Sequence, residues 1–224
     1  VLRGFEANRV LIMVDGVRMN HAIFRSGHIQ NAISIDPTVL KRAEVIFGPA
    51  SAEYGSDALG GVMHFRTKDI ELSNNDSAAK TNLNAFMRIA TANNENTTHI
   101  DFQIGFKKIG FLTAISHSDF DNLKMGSNRH PSYPDFGKLF HYAGKFENKD
   151  TMLVNPDPNM QQKSGYRQVS YLQKVLFKPS QRLSLTANFQ YSTTSDIPRF
   201  DMLNDYKGNF LKFSEWHYGP QKWL

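Results

Sequence analysis

Two segments of the chain alternate apolar and polar residues without a break, and this pattern constrains the fold more than any other feature. In Ile100–Phe106 and Leu183–Tyr191, every second residue is apolar, and the residues between are polar or glycine. Successive side chains of a strand point to opposite faces, so the pattern indicates strands with one apolar and one polar face. Less regular alternation predicts three further strands, at Leu83–Thr91, Phe111–His117 and Tyr166–Lys178.

The connections between these five predicted strands alternate between longer and tight. Ala92–Asn96 is polar, Lys107–Gly110 is tight, and an insert of roughly residues 121–165 follows. Pro179–Gln181 is tight again, and residues from 194 start a second long excursion. The strands alone fit a soluble antiparallel sheet with one wet face. The alternating connections favour an outer-membrane barrel, which has short turns at one end and long loops at the other.

Composition excludes several function classes. The chain has no cysteine, which rules out disulfides, thiol catalysis and cysteine metal sites. The net charge is +5 and the pI is about 9.3. The basic residues are dispersed and no nucleic-acid module is present, so we expect no nucleic-acid partner. No apolar run approaches the ~20 residues of a transmembrane helix. Nucleophile, phosphate-loop and dinucleotide motifs are absent, and we expect no enzyme activity.

The first seventy residues read as a different kind of structure. Val10–Val14 is a continuous apolar run, as expected of a strand covered on both faces. Asp15-Gly16 supplies a turn, and Asp36-Pro37 begins a single helical turn over Thr38–Arg42. Ala43–Phe47 predicts a second strand that Gly48-Pro49 ends. An unrelated small α/β domain with ordinary turn glycines would account for each feature alone.

Five short motifs in this region occur in one order and at tight spacing: Leu2–Phe5, Leu11–Val17, Ile35–Pro37, Glu44–Pro49 and Tyr54–Val62. Together they resemble the second half of the plug domain of TonB-dependent outer-membrane receptors. The sequences at Asn8–Val10, Gly27–Asn31 and Val62–Phe65 are similar to those of the haemoglobin/haem-type branch of that family. Phe47 before Gly48, where arginine is common, and His64 in Val62–Phe65 depart from the classical siderophore receptors.

The resemblance implies the fold class and the domains. We expect an α+β plug domain followed by the first antiparallel strands of a transmembrane β-barrel, as a fragment of a 22-stranded plugged barrel. The expected bounds are 1–69 for the C-terminal part of the plug, 70–81 for a polar linker and 82–224 for about five barrel strands. Long extracellular loops are expected at about 121–165 and from 194.

The resemblance also implies a set of plug residues. We expect ion pairs within the plug or between plug and barrel from Arg3, Asp15, Arg42 and Glu44, and backbone turns at the glycines. The full plug-motif set is Arg3, Gly4, Asp15, Gly16, Asp36, Pro37, Arg42, Glu44, Gly48, Pro49, Tyr54, Gly55, Gly60 and Gly61.

Histidines are the candidate ligand chemistry, because a neutral imidazole can bind haem iron. His21 and His28 flank an expected apical plug loop that contains Arg25, whose guanidinium suits a haem propionate. His130 and His141 lie in the long insert, and His64 is expected to be structural. Local hydrogen bonding or exposure to water is the alternative for each. No metal-ligand set is certain, and the acids Asp119 and Asp121 read as solvated loop residues or a weak cation pair.

By resemblance, the expected function is TonB-dependent active transport across the outer membrane of a Gram-negative bacterium. The expected cargo is haem or a haem protein such as haemoglobin, with no covalently bound cofactor. The other expected partners are outer-membrane lipid and the TonB complex, which would bind a segment upstream of Val1 in a longer protein. The alternatives are a receptor for a ferric siderophore, cobalamin or glycan, and a non-transporting surface receptor or adhesin.

Overall fold

The computed structural model describes residues 10–19, 35–48 and 51–224. Contacts divide the chain into two compact units that cut across its long strands. The expected domain bounds follow the chain instead, and they stay predictions. The first unit comprises Val1–Asn82, Phe102–Thr113 and Gln173–Asn188, and the second comprises Leu83–Asp101, Ala114–Leu172 and Phe189–Leu224.

A four-stranded mixed sheet forms the N-terminal part of the first unit. Its strand order is β2-β1-β4-β3, with β1 parallel to β4 and the other two pairs antiparallel. The strands are β1 (Val10–Val14), β2 (Val17–Arg18), β3 (Leu40–Phe47) and β4 (Gly61–Thr67). Short helices lie between them at Pro37–Val39 (3-10), Ser51–Tyr54 (α1) and Ser56–Ala58 (3-10).

The core of this sheet is built on the apolar run that the sequence marks. All five residues of β1 are buried. Leu11 and Met13 pack with Ala58 and Val62 into one cluster, with Ile46 and Tyr54 against it. Leu11 is fully buried, and burying a leucine side chain stabilises a fold by about 1.5–3 kcal/mol. Coverage on both faces therefore explains why β1 does not alternate.

The helical turn after Asp36 is shorter than the sequence predicts. The Asp36 carboxylate accepts a hydrogen bond from the Thr38 N–H at 2.9 Å, and Pro37 occupies the first position, as expected of an N-cap. However, the 3-10 turn ends at Val39 and β3 begins at Leu40, so the predicted helix over Thr38–Arg42 is wrong. Pairing decides this, because Leu40 already lies opposite Thr67 of β4.

Five long strands follow, and each overlaps one of the alternating segments. They are β5 (Lys80–Ala90), β6 (Glu95–Gly105), β7 (Ile109–Phe120), β12 (Tyr166–Ser180) and β13 (Leu183–Thr194). With the short β18 (Lys222–Trp223) they form a sheet of order β18-β13-β12-β7-β6-β5. The chain therefore has the expected fold class, an α+β domain with a mixed sheet followed by antiparallel strands.

Burial follows the alternation along β6. Asp101 and Gln103 are only 5% and 7% exposed, whereas Ile100 and Phe102 are 48% and 43% exposed. This is the reverse of a soluble protein, where apolar side chains are buried and polar ones face water. It is the arrangement of a barrel wall whose apolar side faces lipid. Ile104 is half-buried and Phe106 exposed, and on β13 Leu183, Leu185 and Phe189 are also exposed.

The segment predicted as a linker, 70–81, is packed rather than free at its start. The Gln103 side-chain amide, oriented to satisfy its partners, donates to the Asp69 carbonyl at 3.1 Å and accepts from the Glu71 N–H at 2.8 Å. Ser73 N–H donates to the Phe106 carbonyl at 3.2 Å. A Cβ at Gly105 would lie 2.0 Å from the Glu71 carbonyl oxygen. The linker backbone thus occupies the space that any side chain at Gly105 would need.

The predicted long loops contain ordered hairpins, so reading them as loops is incomplete. In the 121–165 insert, β9 (His141–Phe146) pairs with β10 (Lys149–Val154), and β8 (Leu123–Lys124) pairs with β11 (Met160–Gln161). Buried Asn155 holds the insert by donating to the carbonyls of Leu139 and Met160. Beyond 194 lie β14 (Ile197–Pro198), α2 (Phe200–Leu203), β15 (Tyr206–Lys207), β16 (Phe210–Leu211) and β17 (His217–Tyr218).

Among the described residues, no helix is long and apolar enough to cross a membrane.

The exposed apolar side chains of the long strands lead to a testable prediction about contact with lipid. In the full-length protein, a spin label at residue 102 should collide with a lipid-soluble relaxant, and one at residue 101 should not. The reason is that uncompensated polar groups on a lipid face cost several kcal/mol. Equal accessibility of the two labels would refute the assignment of faces.

Candidate functional site

The turn between β1 and β2 presents a carboxylate to the end of the long strands. Asp15 has φ +47° and Gly16 has φ +87°, the two left-handed residues of a tight hairpin turn. The Asp15 side chain accepts hydrogen bonds from the Thr67 N–H at 2.9 Å and the Thr67 hydroxyl at 2.6 Å. These bonds fix the carboxylate to β4, with the N–H on Oδ1 and the hydroxyl on Oδ2. Oδ2 also faces β12 and β13.

Two residues of the long strands meet that oxygen. The Asn188 amide donates to Asp15 Oδ2 at 2.6 Å, and Lys174 Nζ lies 3.2 Å from the same atom. Lys174 Nζ also donates to the Lys68 carbonyl at 3.1 Å. We call Asp15, Thr67, Lys68, Lys174 and Asn188 the Asp15 cluster. It joins the four-stranded sheet to β12 and β13 within the first unit.

The electrostatics of the Asp15 cluster favour a charged pair. Burial by itself would raise the pKa of Asp15, but the Thr67 hydrogen bonds and the Lys174 charge outweigh it and hold that pKa below its usual value. Lys174 is 6% exposed, so its ammonium has lost most of its water. Desolvation offsets much of the attraction in such a pair, and removal of one partner leaves a buried charge at a cost of about 3–5 kcal/mol. The pair joins β12 to the turn between β1 and β2.

A second polar network lies beside the turn and involves His64. Buried His64 accepts a hydrogen bond from the Gly16 N–H through Nε2 at 3.1 Å, so Nε2 carries no proton and Nδ1 does. Nδ1 faces Glu44 Oε2 at 3.8 Å, and Glu44 also pairs with Arg42 at 2.8 Å and Arg66 at 3.3 Å. Burial lowers the pKa of His64, and a hydrogen bond with Arg66 lowers that of Glu44. His64 thus supports the turn that presents Asp15.

His64 makes the stability of this sheet depend on pH. The unfolded chain binds a proton at His64 below about pH 6.5, whereas the folded chain resists it, so stability should fall as pH drops from 7 to 5. The lowered pKa values of Asp15 and Glu44 act only below that range. Hydrogen exchange of β1 and β4 amides in the full-length protein should show this loss of stability. His64→Gln, which can still accept from Gly16, should flatten it, and an unchanged slope would contradict this role.

The structure describes some of the remaining predicted plug residues. Arg18 donates to the Tyr54 carbonyl and its guanidinium lies against Gly55, where an added Cβ would be 3.1 Å from it. Gly48, Gly55 and Gly61 have positive φ, so the chain turns there in conformations that favour glycine. Gly60 is buried immediately before β4. Arg3, Gly4 and Pro49 lie outside the described residues.

The proposed ligand residues His21, Arg25 and His28 also lie outside the described residues. The insert histidines have local contacts: His130 Nδ1 accepts from the Ser132 N–H at 3.2 Å, and His141 Nδ1 lies 3.4 Å from the Tyr206 hydroxyl. Within the described ranges, no group of three or more potential metal ligands is present. The acids at 119 and 121 are engaged as well, since Asp119 pairs with Arg167 at 3.0 Å and Asp121 accepts from the Asn122 N–H at 2.7 Å.

Sequence reasoning missed Lys174 and Asn188 as partners of Asp15, and the Lys68 carbonyl as a partner of Lys174. The alternation placed Asn188 only on the polar face of its strand. The one available signal was a lysine at position 174, on the face of β12 that also carries buried Leu172 and Ser170. A lone inward lysine calls for a carboxylate partner, but the sequence does not say which.

Comparisons with known proteins identify the family of the chain. The model of the TonB-dependent Receptor Plug Domain matches residues 1–62. The hemin receptor of Yersinia pestis is 45% identical over 69 residues, which cover 31% of this chain and 10% of that protein. The vitamin B12 transporter BtuB of Vibrio vulnificus is 30% identical over 195 residues, which cover 85% of this chain and 29% of that protein. The chain thus spans less than a third of either relative.

The fold of the chain also resembles that of solved structures. The copper transporter OprC superposes with a TM-score of 0.61 over 89% of this chain and 26% of its own, at 15% identity, which shows the fold alone. These relatives are named as receptors and transporters, not enzymes. The plug match, the strand pattern and the relatives agree, and the chain therefore belongs to the TonB-dependent receptors of the Gram-negative outer membrane.

Proposed function

We propose that the protein containing this chain takes up an iron-bearing ligand, haem or a haem protein, across the outer membrane by TonB-dependent active transport. The observation that carries the transport proposal is the Asp15 cluster. It holds the plug-type sheet to the strands through a few polar contacts whose desolvation cost offsets their attraction. A plug that must be displaced in each cycle needs attachments of this kind.

The similarity to the hemin receptor of Yersinia pestis supports haem as the cargo. The sequence adds His21, Arg25 and His28 within eight positions, a neutral ligand pair for iron with a cation for a propionate. Cobalamin is the second candidate, because the vitamin B12 transporter of Vibrio vulnificus matches a larger share of the chain.

The experiment uses the full-length receptor in a host that lacks its own haem and cobalamin receptors. Growth on haemin or haemoglobin as the iron source, lost when TonB is deleted, is the expected result. Growth that depends on cobalamin alone would show that the cargo is cobalamin and not haem. Uptake of only a ferric siderophore or only a glycan would likewise contradict haem as the cargo. Ligand binding without TonB-dependent uptake would instead indicate a surface receptor or adhesin.

The plug histidines are tested on the same receptor. His21→Ala and His28→Ala, singly and together, should weaken haem-supported growth and change the Soret band of the bound haem. His217→Ala is the matched control, since that exposed histidine of β17 faces Glu215 at 3.7 Å. If the double variant keeps both growth and spectrum, these histidines are not iron ligands.

A further inference from the structure

The inward side of β5 carries one aromatic side chain among polar ones. The Asn84 amide donates to Asp101 Oδ2 at 3.0 Å. Arg88 Nε donates to Glu95 Oε1 at 2.7 Å, and both acids are buried on the polar side of β6. Phe86 lies midway between Asn84 and Arg88, so its side chain points to the same side as theirs. It is 38% exposed there, although polar side chains line the interior of an outer-membrane barrel.

Buried His99 supports the Phe86 ring from β6. The two ring centroids lie 5.1 Å apart, and the ring planes are tilted by 36°. The imidazole is fixed at both nitrogens, because Nδ1 lies 2.7 Å from the Ser116 hydroxyl and Nε2 lies 2.8 Å from Asp101 Oδ2. With both nitrogens engaged, His99 holds the phenyl ring in place and has no nitrogen left to bind a metal.

Arg88 lies next to Phe86 on the same side of β5. The two residues are two positions apart, about 7 Å along an antiparallel strand, and the Arg88 side chain is 53% exposed. Its Nε and Nη2 both donate to Glu95 Oε1, which also accepts from the Thr97 hydroxyl at 2.7 Å. Among the described residues, Nη1 makes no hydrogen bond, so the edge formed by Nη1 and Nη2 can bind a second carboxylate. We call Phe86, Arg88, Glu95 and His99 the Phe86 platform.

The Phe86 platform lies in the membrane-spanning part of the wall. Met87 follows Phe86 on β5, Ile100 follows His99 on β6, and both are exposed apolar side chains. Neighbouring residues of a strand face opposite sides, so these two belong to the lipid-facing side directly behind the Phe86 platform. A molecule in contact with Phe86 therefore lies at the height of the hydrocarbon and has already passed the extracellular loops.

The chemistry of the Phe86 platform suits a flat aromatic molecule that carries a carboxylate. An exposed ring stacks with another ring, and the free guanidinium edge of Arg88 can hold a carboxylate through two parallel hydrogen bonds. Glu95 neutralises the Arg88 charge, so a simple anion without a ring gains little there. The same neutralisation keeps the binding weak, as required of a site that a passing molecule must both enter and leave.

We propose that the Phe86 platform is a transit site for haem on the inner side of the barrel wall. The macrocycle stacks on Phe86, and a propionate binds the free edge of Arg88. The inference rests on the proposed function, because it takes haem as the cargo. The haem iron receives no ligand at this site, since both nitrogens of His99 are engaged. The Phe86 platform thus acts on the rate of passage and not on capture at the cell surface.

The test separates capture from passage in the full-length receptor. Haemin binding to cells that lack TonB measures capture, and haemin uptake by cells with TonB measures passage. Phe86→Leu keeps the apolar bulk but has no ring to stack, and Arg88→Lys keeps the charge beside Glu95 without the planar fork. Each change should lower the maximal uptake rate about fivefold, the size of one aromatic or bidentate contact, and leave surface affinity unchanged. Phe86→Tyr keeps the ring and should retain most of the rate.

Met87→Leu is the matched control for Phe86→Leu. Met87 is the next residue of β5 and is exposed on the opposite side of the strand, so its replacement should leave both surface binding and the uptake rate unchanged. The Soret band of haemin bound at the cell surface is a further readout. It should be the same in the wild type, Phe86→Leu and Arg88→Lys, because the Phe86 platform gives the iron no ligand.

A full uptake rate in either Phe86→Leu or Arg88→Lys would overturn the transit site, and so would an equal loss of rate in Met87→Leu. Weaker surface binding or a changed Soret band in these variants would also overturn it, because the residues would then act on capture. The wild type separates the two proposals. If it takes up no haemin, the proposed cargo fails and the transit site with it. If it takes up haemin no faster than the variants, only the transit site is wrong.

Discussion

Asp15→Asn should destabilise the attachment of the four-stranded sheet by about 3 kcal/mol, because it leaves the buried Lys174 ammonium without a counter-charge. Asparagine tolerates the positive φ of residue 15, but its single carbonyl oxygen can replace only one of the two carboxylate oxygens, so the change removes the charge together with one hydrogen-bond acceptor. Hydrogen exchange of β4 amides in the full-length receptor at pH 7 measures it as a faster opening of the sheet.

The matched variants complete a double-mutant cycle. Lys174→Met alone leaves Asp15 with its Thr67 and Asn188 hydrogen bonds and should cost less than Asp15→Asn. The double variant has no buried charge and should recover at least half of the loss caused by Asp15→Asn. If the effects of the two single changes simply add in the double variant, the pair carries no coupling and the Asp15 cluster is not an attachment point.

Gly105→Ala should destabilise the packing of the linker, residues 70–81, against β6 by a comparable free energy. The new Cβ would overlap the Glu71 carbonyl oxygen, a backbone atom that cannot rotate away, at 2.0 Å. The linker must then shift and lose the Gln103 hydrogen bonds to Asp69 and Glu71. Each such net bond contributes about 1 kcal/mol, so the total loss, including the steric cost, should be on the order of 2–4 kcal/mol.

The readout for Gly105→Ala is faster hydrogen exchange at residues 69–73, with a lower yield of folded receptor in the membrane. Gly126→Ala is the control, because nothing lies within 4 Å of a Cβ there and its φ is not in the left-handed region. Equal protection of the linker in both variants would show that the close approach at Gly105 does not matter.

The long strands, and the two faces of β6, could be predicted from the sequence alone. Period-two alternation at Ile100–Phe106 identified β6, and the structure places Asp101 and Ile100 on opposite sides as expected. The motif order around Asp15-Gly16 and Asp36-Pro37 identified the plug domain, which the family comparison confirms. These signals are local: a side chain's face, a turn's φ and a helix cap depend on residues within a few positions.

The sequence failed where pairing overrides local preference. The residues after Pro37 look helical, but pairing with β4 extends β3 back to Leu40. The 121–165 insert reads as loop because its strands are short and weakly alternating, yet β9 and β10 form a regular hairpin there. In both cases hydrogen bonds to a neighbouring segment stabilise a conformation that propensity does not favour.

The buried run of β1, the turn at Asp15-Gly16 and the two faces of β6 could be predicted from the amino-acid pattern. The contacts between distant groups could be read only from the folded structure. Asn188 reaches Asp15 from 173 positions away, and Gly105 is required because a distant backbone passes over it. Alternation fixes the side of a strand, but register and docking fix the neighbour, and these depend on the packing of the whole chain.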